Sequence, residues 1–177
     1  TFPTSLDQYP RPRLDGQGLP DNTRFDVNYS EGAAVGYKWF DVRRQEPLYP
    51  FGYGLSYTHF AHSELAAALN GEDLNVTFTV RNTGERAGAD VAQIYMSSLA
   101  GGWEAPRRLG GFKKVSLQAG QATPVTLTID PRLLATYDVS AHAWKIAAGR
   151  YRIALASSSR DPGVTVEVTL PTRTLAP

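Results

Sequence analysis

Between residues 60 and 170 apolar side chains recur at every second position over several short runs, and that period restricts the chain more than any other feature. Leu74, Val76, Phe78 and Val80 alternate with Asn75, Thr77, Thr79 and Arg81. Successive side chains of a strand point to opposite faces, so such a run has one dry and one wet side. Val125, Leu127 and Ile129 repeat the rule, as do Tyr151, Ile153 and Leu155, and then Val164, Val166, Val168 and Leu170. Residues 89–96, ADVAQIYM, are apolar enough on both faces for a central strand, and residues 60–69 supply another. In Phe112 to Leu117, Phe112 is out of phase with Val115 and Leu117, which points to a bulge there. About seven strands separated by Gly, Asn or Pro turns predict an all-β antiparallel sandwich. Val76, Phe78 and Val80 are expected inside, with Thr77 and Thr79 facing out. The one helical candidate is a short turn at Pro131 to Ala135, with Asp130 capping and Pro131 in the first helical position.

The first 57 residues read differently. Twelve of the 19 aromatic residues and six of the 12 prolines lie before position 61, so the composition changes near residue 60. Residues 3–26 have neither helical nor strand periodicity and are expected to be an extended connection. EPLYPFGYGLSY (46–57) is a second irregular segment, in which Gly52 and Gly54 offer positive-φ positions. The cluster Tyr37, Trp39, Phe40, Tyr49, Phe51, Tyr53 and Tyr57 suits the seam between a sandwich and a neighbouring domain better than a sugar platform. The opening TFPTS has neither the basic nor the apolar region of a signal peptide, and the chain reads as a fragment.

Several function classes fall away on composition. A net charge of +1 gives no basic field for nucleic acid. No stretch approaches the roughly 20 apolar residues of a membrane span. With zero cysteines there is no thiol nucleophile, disulfide framework or Cys-based zinc site. His59, His62 and His142 have no metal-ligand spacing, and no cofactor motif is present, so no metal or cofactor is expected. Arg outnumbers Lys 14 to 4, a bias of GC-rich bacterial genomes; a periplasmic or secreted bacterial setting is expected ahead of the cytoplasm.

The residues that carry candidate chemistry are few. Asp41 with Glu46, or Glu31 with Asp41, can be nominated as carboxylate pairs for glycoside hydrolysis, but nothing in their spacing fixes a geometry. Glu31 lies in Tyr29-Ser30-Glu31-Gly32 and is read either as a carboxylate tying down backbone donors or as a substrate contact. Trp103 sits in the Gly-rich loop AGGWEAPRR, where edge packing and ligand contact both remain open. Arg107 shares that loop, and an indole with a guanidinium suits a sugar ring and its hydroxyls. Trp103, Arg107 and Glu31 are therefore the candidate substrate-binding residues, and no catalytic residue is assigned.

TFPTSLDQYP, YSEGAAVGYKWFD (29–41), EPLYPFGYGLSYTHF (46–60), VTFTVRNTGERAGADVAQIY (76–95), PRRLGGFKKVSL (106–117) and AHAWKIAAGRYRIALASSS (141–159) together resemble the C-terminal part of family 3 glycoside hydrolases, of β-glucosidase and β-xylosidase type. The resemblance covers essentially the whole chain in the family's order. It implies that residues 1–57 are the tail of an α/β sandwich domain plus its connector, and that 58–177 form a fibronectin type III-like, immunoglobulin-like sandwich. It further implies partners: upstream barrel and α/β domains of the same enzyme, which hold the nucleophile and acid/base and bind the β-linked glycoside. No position here matches either catalytic motif, so the 177-residue chain alone is expected to be inactive. A homodimer stays open. The alternative is a free-standing fibronectin-like module that binds carbohydrate or protein, for which 57 residues rich in Tyr, Trp and Phe have no obvious use.

Overall fold

The computed structural model describes residues 1–11 and 18–176. Two sheets face each other across one core. The first has the order β1 (Phe60–Asn70), β2 (Asp73–Asn82), β5 (Ala122–Ile129). The second has the order β4 (Arg108–Leu117), β3 (Gly88–Ser98), β8 (Gly149–Ala156), β9 (Val164–Leu170). All pairings are antiparallel, and β3 is central between β4 and β8 as its apolar faces require. Val76, Phe78 and Val80 are buried while Thr77 is exposed and Thr79 half-buried, so β2 has the expected register. Ile94, Met96, Ile129, Tyr151, Ile153 and Leu155 meet them from the neighbouring strands and the opposite sheet.

A third sheet was not expected. β6 (Thr136–Asp138), β7 (Ala143–Ile146) and β10 (Arg173–Leu175) pair in the order β10-β7-β6, giving ten strands among the described residues rather than about seven. Each is three or four residues long, too short for alternation to register, yet Ile146 and Leu175 pack on the same core. The helical turn forms at Pro131–Leu134, and the Asp130 side chain accepts from the Arg132 amide as a cap. The bulge lies two residues before the expected place. Ile94 pairs with Gly111 and Tyr95 with Leu109, so Gly110 is the extra residue. Phe112 merely points to the outer face, where it is 62% exposed. A Cβ on Gly110 would stand 2.8 Å from the Met96 sulfur, which is why glycine occupies the bulge.

The first 57 residues contain a helix that periodicity did not disclose. α1 spans Tyr37–Arg43, two turns between Gly36 at φ 60° and Arg44 in the left-handed region at φ 53°. Seven residues are too few to be helical on propensity alone, so packing must hold them. Tyr37 and Phe40, three positions apart, supply the packing face, and Phe40 is 4% exposed. A 3-10 turn at Leu6–Gln8 interrupts the expected extended connection, of which residues 12–17 lie outside the described part. Phe2 pairs with Tyr49 as an isolated antiparallel bridge, so the two irregular segments support each other.

The connector enters the sandwich through a polar knot. Asn82 is fully buried, and its Oδ1 accepts from Thr58 Oγ1 at 2.7 Å and from the Gly84 amide at 3.1 Å. Its Nδ2 donates to the carbonyls of Arg86 and Leu117 at 2.7 and 3.2 Å. One amide thus satisfies both its halves while joining the connector, the turn after β2 and the end of β4.

Candidate functional site

The 99–107 loop between β3 and β4 turns at Gly101 and Gly102, whose φ values of 77° and 87° belong to glycine. Beyond the turn Trp103 folds back, half-buried, with its ring 5.8 Å from that of Tyr151. The Arg108 guanidinium lies 4.3 Å over the indole and also donates to the carbonyls of Leu133 and Ala135. Glu104 joins the two segments, receiving Lys38 of α1 at 2.6 Å and Arg108 at 2.5 Å. Burial raises the Glu104 pKa, but the hydrogen bonds from Arg108 and Lys38 outweigh it and hold the carboxyl at about 2.

Arg107 goes the other way. Its guanidinium lies 5.2 Å over the ring of Tyr95, on the sheet face opposite Tyr151, and donates to the Asp161 carbonyl at 3.3 Å. Tyr95 is buried there beside Tyr37, at 5.7 Å edge-to-face, and its hydroxyl donates to Gln93 Oε1 at 2.7 Å. Desolvation pushes the Tyr95 hydroxyl pKa well up, so it stays a neutral donor. Glu31 stands elsewhere. Its side chain is 5% exposed, with Arg11 at 3.9 Å, and its Oε2 is buried without a hydrogen-bond partner among the described residues. Trp103 and Arg107 therefore share a loop but serve opposite faces of one sheet, and among the described residues no hydrogen bond, ion pair or ring contact joins Glu31 to either.

One residue that the sequence left unassigned matters here. Arg160 follows β8 and reaches Asp41 at 3.2 Å, Glu46 at 3.8 Å and the carbonyls of Phe40 and Gln45. The nominated pair Asp41 and Glu46 thus turns toward one guanidinium. Burial raises the Asp41 pKa, opposed by Arg160 and Arg107. Two clefts adjoin Glu104. One, of about 370 Å³, runs between α1 and the loop, lined by Asp41, Val42, Arg44 and Trp103. The other, of about 580 Å³, is lined by Tyr37, Lys38, Arg108, Tyr137 and Trp144. Arg160 had no sequence signal, since its partners are more than a hundred positions away. The i, i+3 spacing of Tyr37 and Phe40 was the one available hint of α1.

No helix among the described residues is long and apolar enough to cross a membrane. The two main sheets define an all-β sandwich of fibronectin type III-like class, and residues 90–159 match the family described as "Fibronectin type III-like domain". Across its length the chain is similar to β-glucosidases. It is 36% identical to thermostable β-glucosidase B of Acetivibrio thermocellus, over 91% of this chain and 21% of that protein. The crystal structure of a GH3 β-glucosidase from Bifidobacterium adolescentis superposes with a TM-score of 0.85 at 32% identity, covering 97% of this chain and 25% of the other. DesR, a β-glucosidase from Streptomyces venezuelae solved with D-glucose, superposes at 0.76 with 41% identity, over 80% and 19%. The chain spans about a fifth of the length of the curated relatives it matches. It contains a fibronectin type III-like domain and is similar, over nearly its whole length, to one part of β-glucosidases such as the GH3 enzyme of Bifidobacterium adolescentis.

Proposed function

We propose that residues 1–177 are the C-terminal segment of a retaining β-glycosidase of β-glucosidase type, stabilising the enzyme and shaping its substrate entrance. One observation carries this: the similarity to β-glucosidases runs over nearly the whole chain, the irregular first 57 residues included, yet covers about a fifth of each relative. Residues 1–57 are the tail of an α/β domain with its connector, and 58–177 the fibronectin-like domain. The many exposed apolar side chains of the first part support that boundary. Leu55 is 91% exposed, Tyr57 94% and Phe2 66%, which suits surfaces that meet upstream domains of the same polypeptide. Those domains supply the nucleophile, the acid/base and the main sugar contacts, in a periplasmic or secreted enzyme.

Trp103, Arg107 and Glu31 are the proposed contributors to substrate binding within that enzyme. Trp103 is the best placed, because it lines a cleft, whereas Arg107 and Glu31 are engaged with Tyr95 and Arg11. The test compares the full-length parent with the 177-residue chain on an aryl β-glucoside. Hydrolysis by the parent alone is expected; hydrolysis by the isolated chain, or an inactive parent, overturns the reading. In the parent, Trp103→Ala is expected to raise KM for long oligosaccharides more than for an aryl monoglucoside. Equal effects reduce Trp103 to packing.

A further inference from the structure

The outer face of the second sheet is unevenly covered. The Gly110 bulge leaves Leu109 opposite Tyr95 and Phe112 opposite Gln93, and directly opposed residues of a ladder share a face. Leu109 packs with Tyr37 of α1 around Tyr95, and its amide donates to the Tyr37 hydroxyl at 2.7 Å. Phe112 has no such cover and is 62% exposed. Val91, two positions before Gln93 on the same face, is 39% exposed.

The connector continues this apolar surface. A Cβ on Gly52 would collide with the Gln93 side chain, and one on Gly88 would stand 2.6 Å from Thr58 Cγ2. Residues 52–58 therefore run along β3 from Gln93 to Gly88, past Val91. Tyr53, Leu55 and Tyr57 lie on that stretch, each more than half exposed, and with Val91 and Phe112 they border one shelf. Single exposed apolar residues are ordinary, but these five together leave on the order of 500 Å² of apolar surface in water, the scale at which a patch marks a contact. Lys114, opposite Val91 on the same face, adds a cation at the rim.

The size of the shelf also selects its occupant. A partner free in solution needs about 800 Å² on each side for a stable contact, which is more than the shelf offers. A partner on the same polypeptide meets it at an effective concentration of about millimolar, so a smaller apolar contact suffices. The curated relatives are long enough to supply one, since this chain matches only about a fifth of their length. We propose that the shelf of Phe112, Val91, Tyr53, Leu55 and Tyr57 seats an apolar surface on the upstream part of the same polypeptide. The sandwich itself then carries part of that contact through β3 and β4, and the connector does not carry it alone. The identity of the occupant rests on the reading of the chain as a C-terminal segment; the choice of face does not.

The test is hydroxyl-radical footprinting of the 177-residue chain and of the full-length parent, read by mass spectrometry at Tyr53, Tyr57 and Phe112. All three are expected to be oxidised in the 177-residue chain and protected in the parent. Phe112→Ser is expected to leave the urea midpoint of the 177-residue chain unchanged. In the parent it is expected to speed protease cleavage within residues 46–57 roughly tenfold, the worth of burying the exposed part of one phenylalanine. A Phe112 as reactive in the parent as in the 177-residue chain overturns the shelf. So does a Phe112→Ser variant that alters both proteins alike, or neither. Protection that appears in the 177-residue chain as its concentration rises, with a doubling of mass, assigns the shelf to a second copy and overturns the upstream occupant. A protected Phe112 in a parent that does not hydrolyse an aryl β-glucoside refutes the glycosidase reading and keeps the shelf, whereas a reactive Phe112 in an active parent refutes only the shelf.

Discussion

Replacing Asn82 by leucine keeps the number and branching of the side-chain heavy atoms and removes four hydrogen bonds at once. The four stranded partners differ in what they can do next. The carbonyl of Arg86 and the amide of Gly84 lie on a turn where Arg86 is exposed, so water can replace the lost partner. Thr58 and Leu117 are 5% and 3% exposed, so their groups stay dry. Each buried group left without a partner costs about 1–3 kcal/mol, which makes Asn82→Leu destabilising by roughly 4 kcal/mol. Against a typical domain stability of about 5–15 kcal/mol that is a large share. It corresponds to a fall in Tm of roughly 10 °C or more for a chain of this size. Urea unfolding followed by intrinsic fluorescence, with circular-dichroism melting, measures it. Thr58→Val, which deletes one of the four bonds, serves as the calibrating variant at about 1 kcal/mol. If Asn82→Leu lies within about 1 kcal/mol of the parent chain, the knot is not what joins connector to sandwich.

Phe78→Ala, at a position 2% exposed and paired across the sheet with Val125, is expected to cost about 3–5 kcal/mol in the same urea assay. Residues 58–177 produced alone are expected to melt cooperatively, because every core strand lies within them; a non-cooperative transition places the domain boundary elsewhere. Glu104 has its pKa depressed from 4.5 to about 2, so its protons are held more tightly in the unfolded state. The stability it contributes is present above pH 4.5 and lost as pH falls toward 2, and Glu104→Gln is expected to flatten that part of the Tm profile. A variant profile as steep as the parent's assigns the acid sensitivity to other carboxylates.

The parts of this molecule that could be read from the chain are those whose cause is local and repeated. β2 shows its register because Leu74, Val76, Phe78 and Val80 persist through four repeats with one wet face. β7 has the same alternation in Trp144 and Ile146 around Lys145, but a single repeat does not stand out from chance. α1 depends on Tyr37 docking against Tyr95 and on Arg160 reaching its end, and neither contact leaves a trace near residues 37–43. Trp103 stood out as a loop tryptophan, but nothing in the sequence singled out Arg108, five positions on, or the distant Tyr151 as the residues that fix it. Asp41 could be nominated in a carboxylate pair, but its burial beside Arg160, with one oxygen left without a partner among the described residues, is a property of the assembled fold.

The reach of Arg160 to the Phe40 and Gln45 carbonyls also sets an order of events during synthesis. Residues 37–43 leave the ribosome more than a hundred residues before Arg160 does. A two-turn helix does not persist by itself, and its edge-to-face partner Tyr95 likewise arrives later. Helix α1 therefore waits without its Tyr95 and Arg160 contacts until β3 and β8 have been made and paired. Slowing translation between positions 45 and 160 lengthens the interval in which a chaperone, or another nascent chain, can capture that segment.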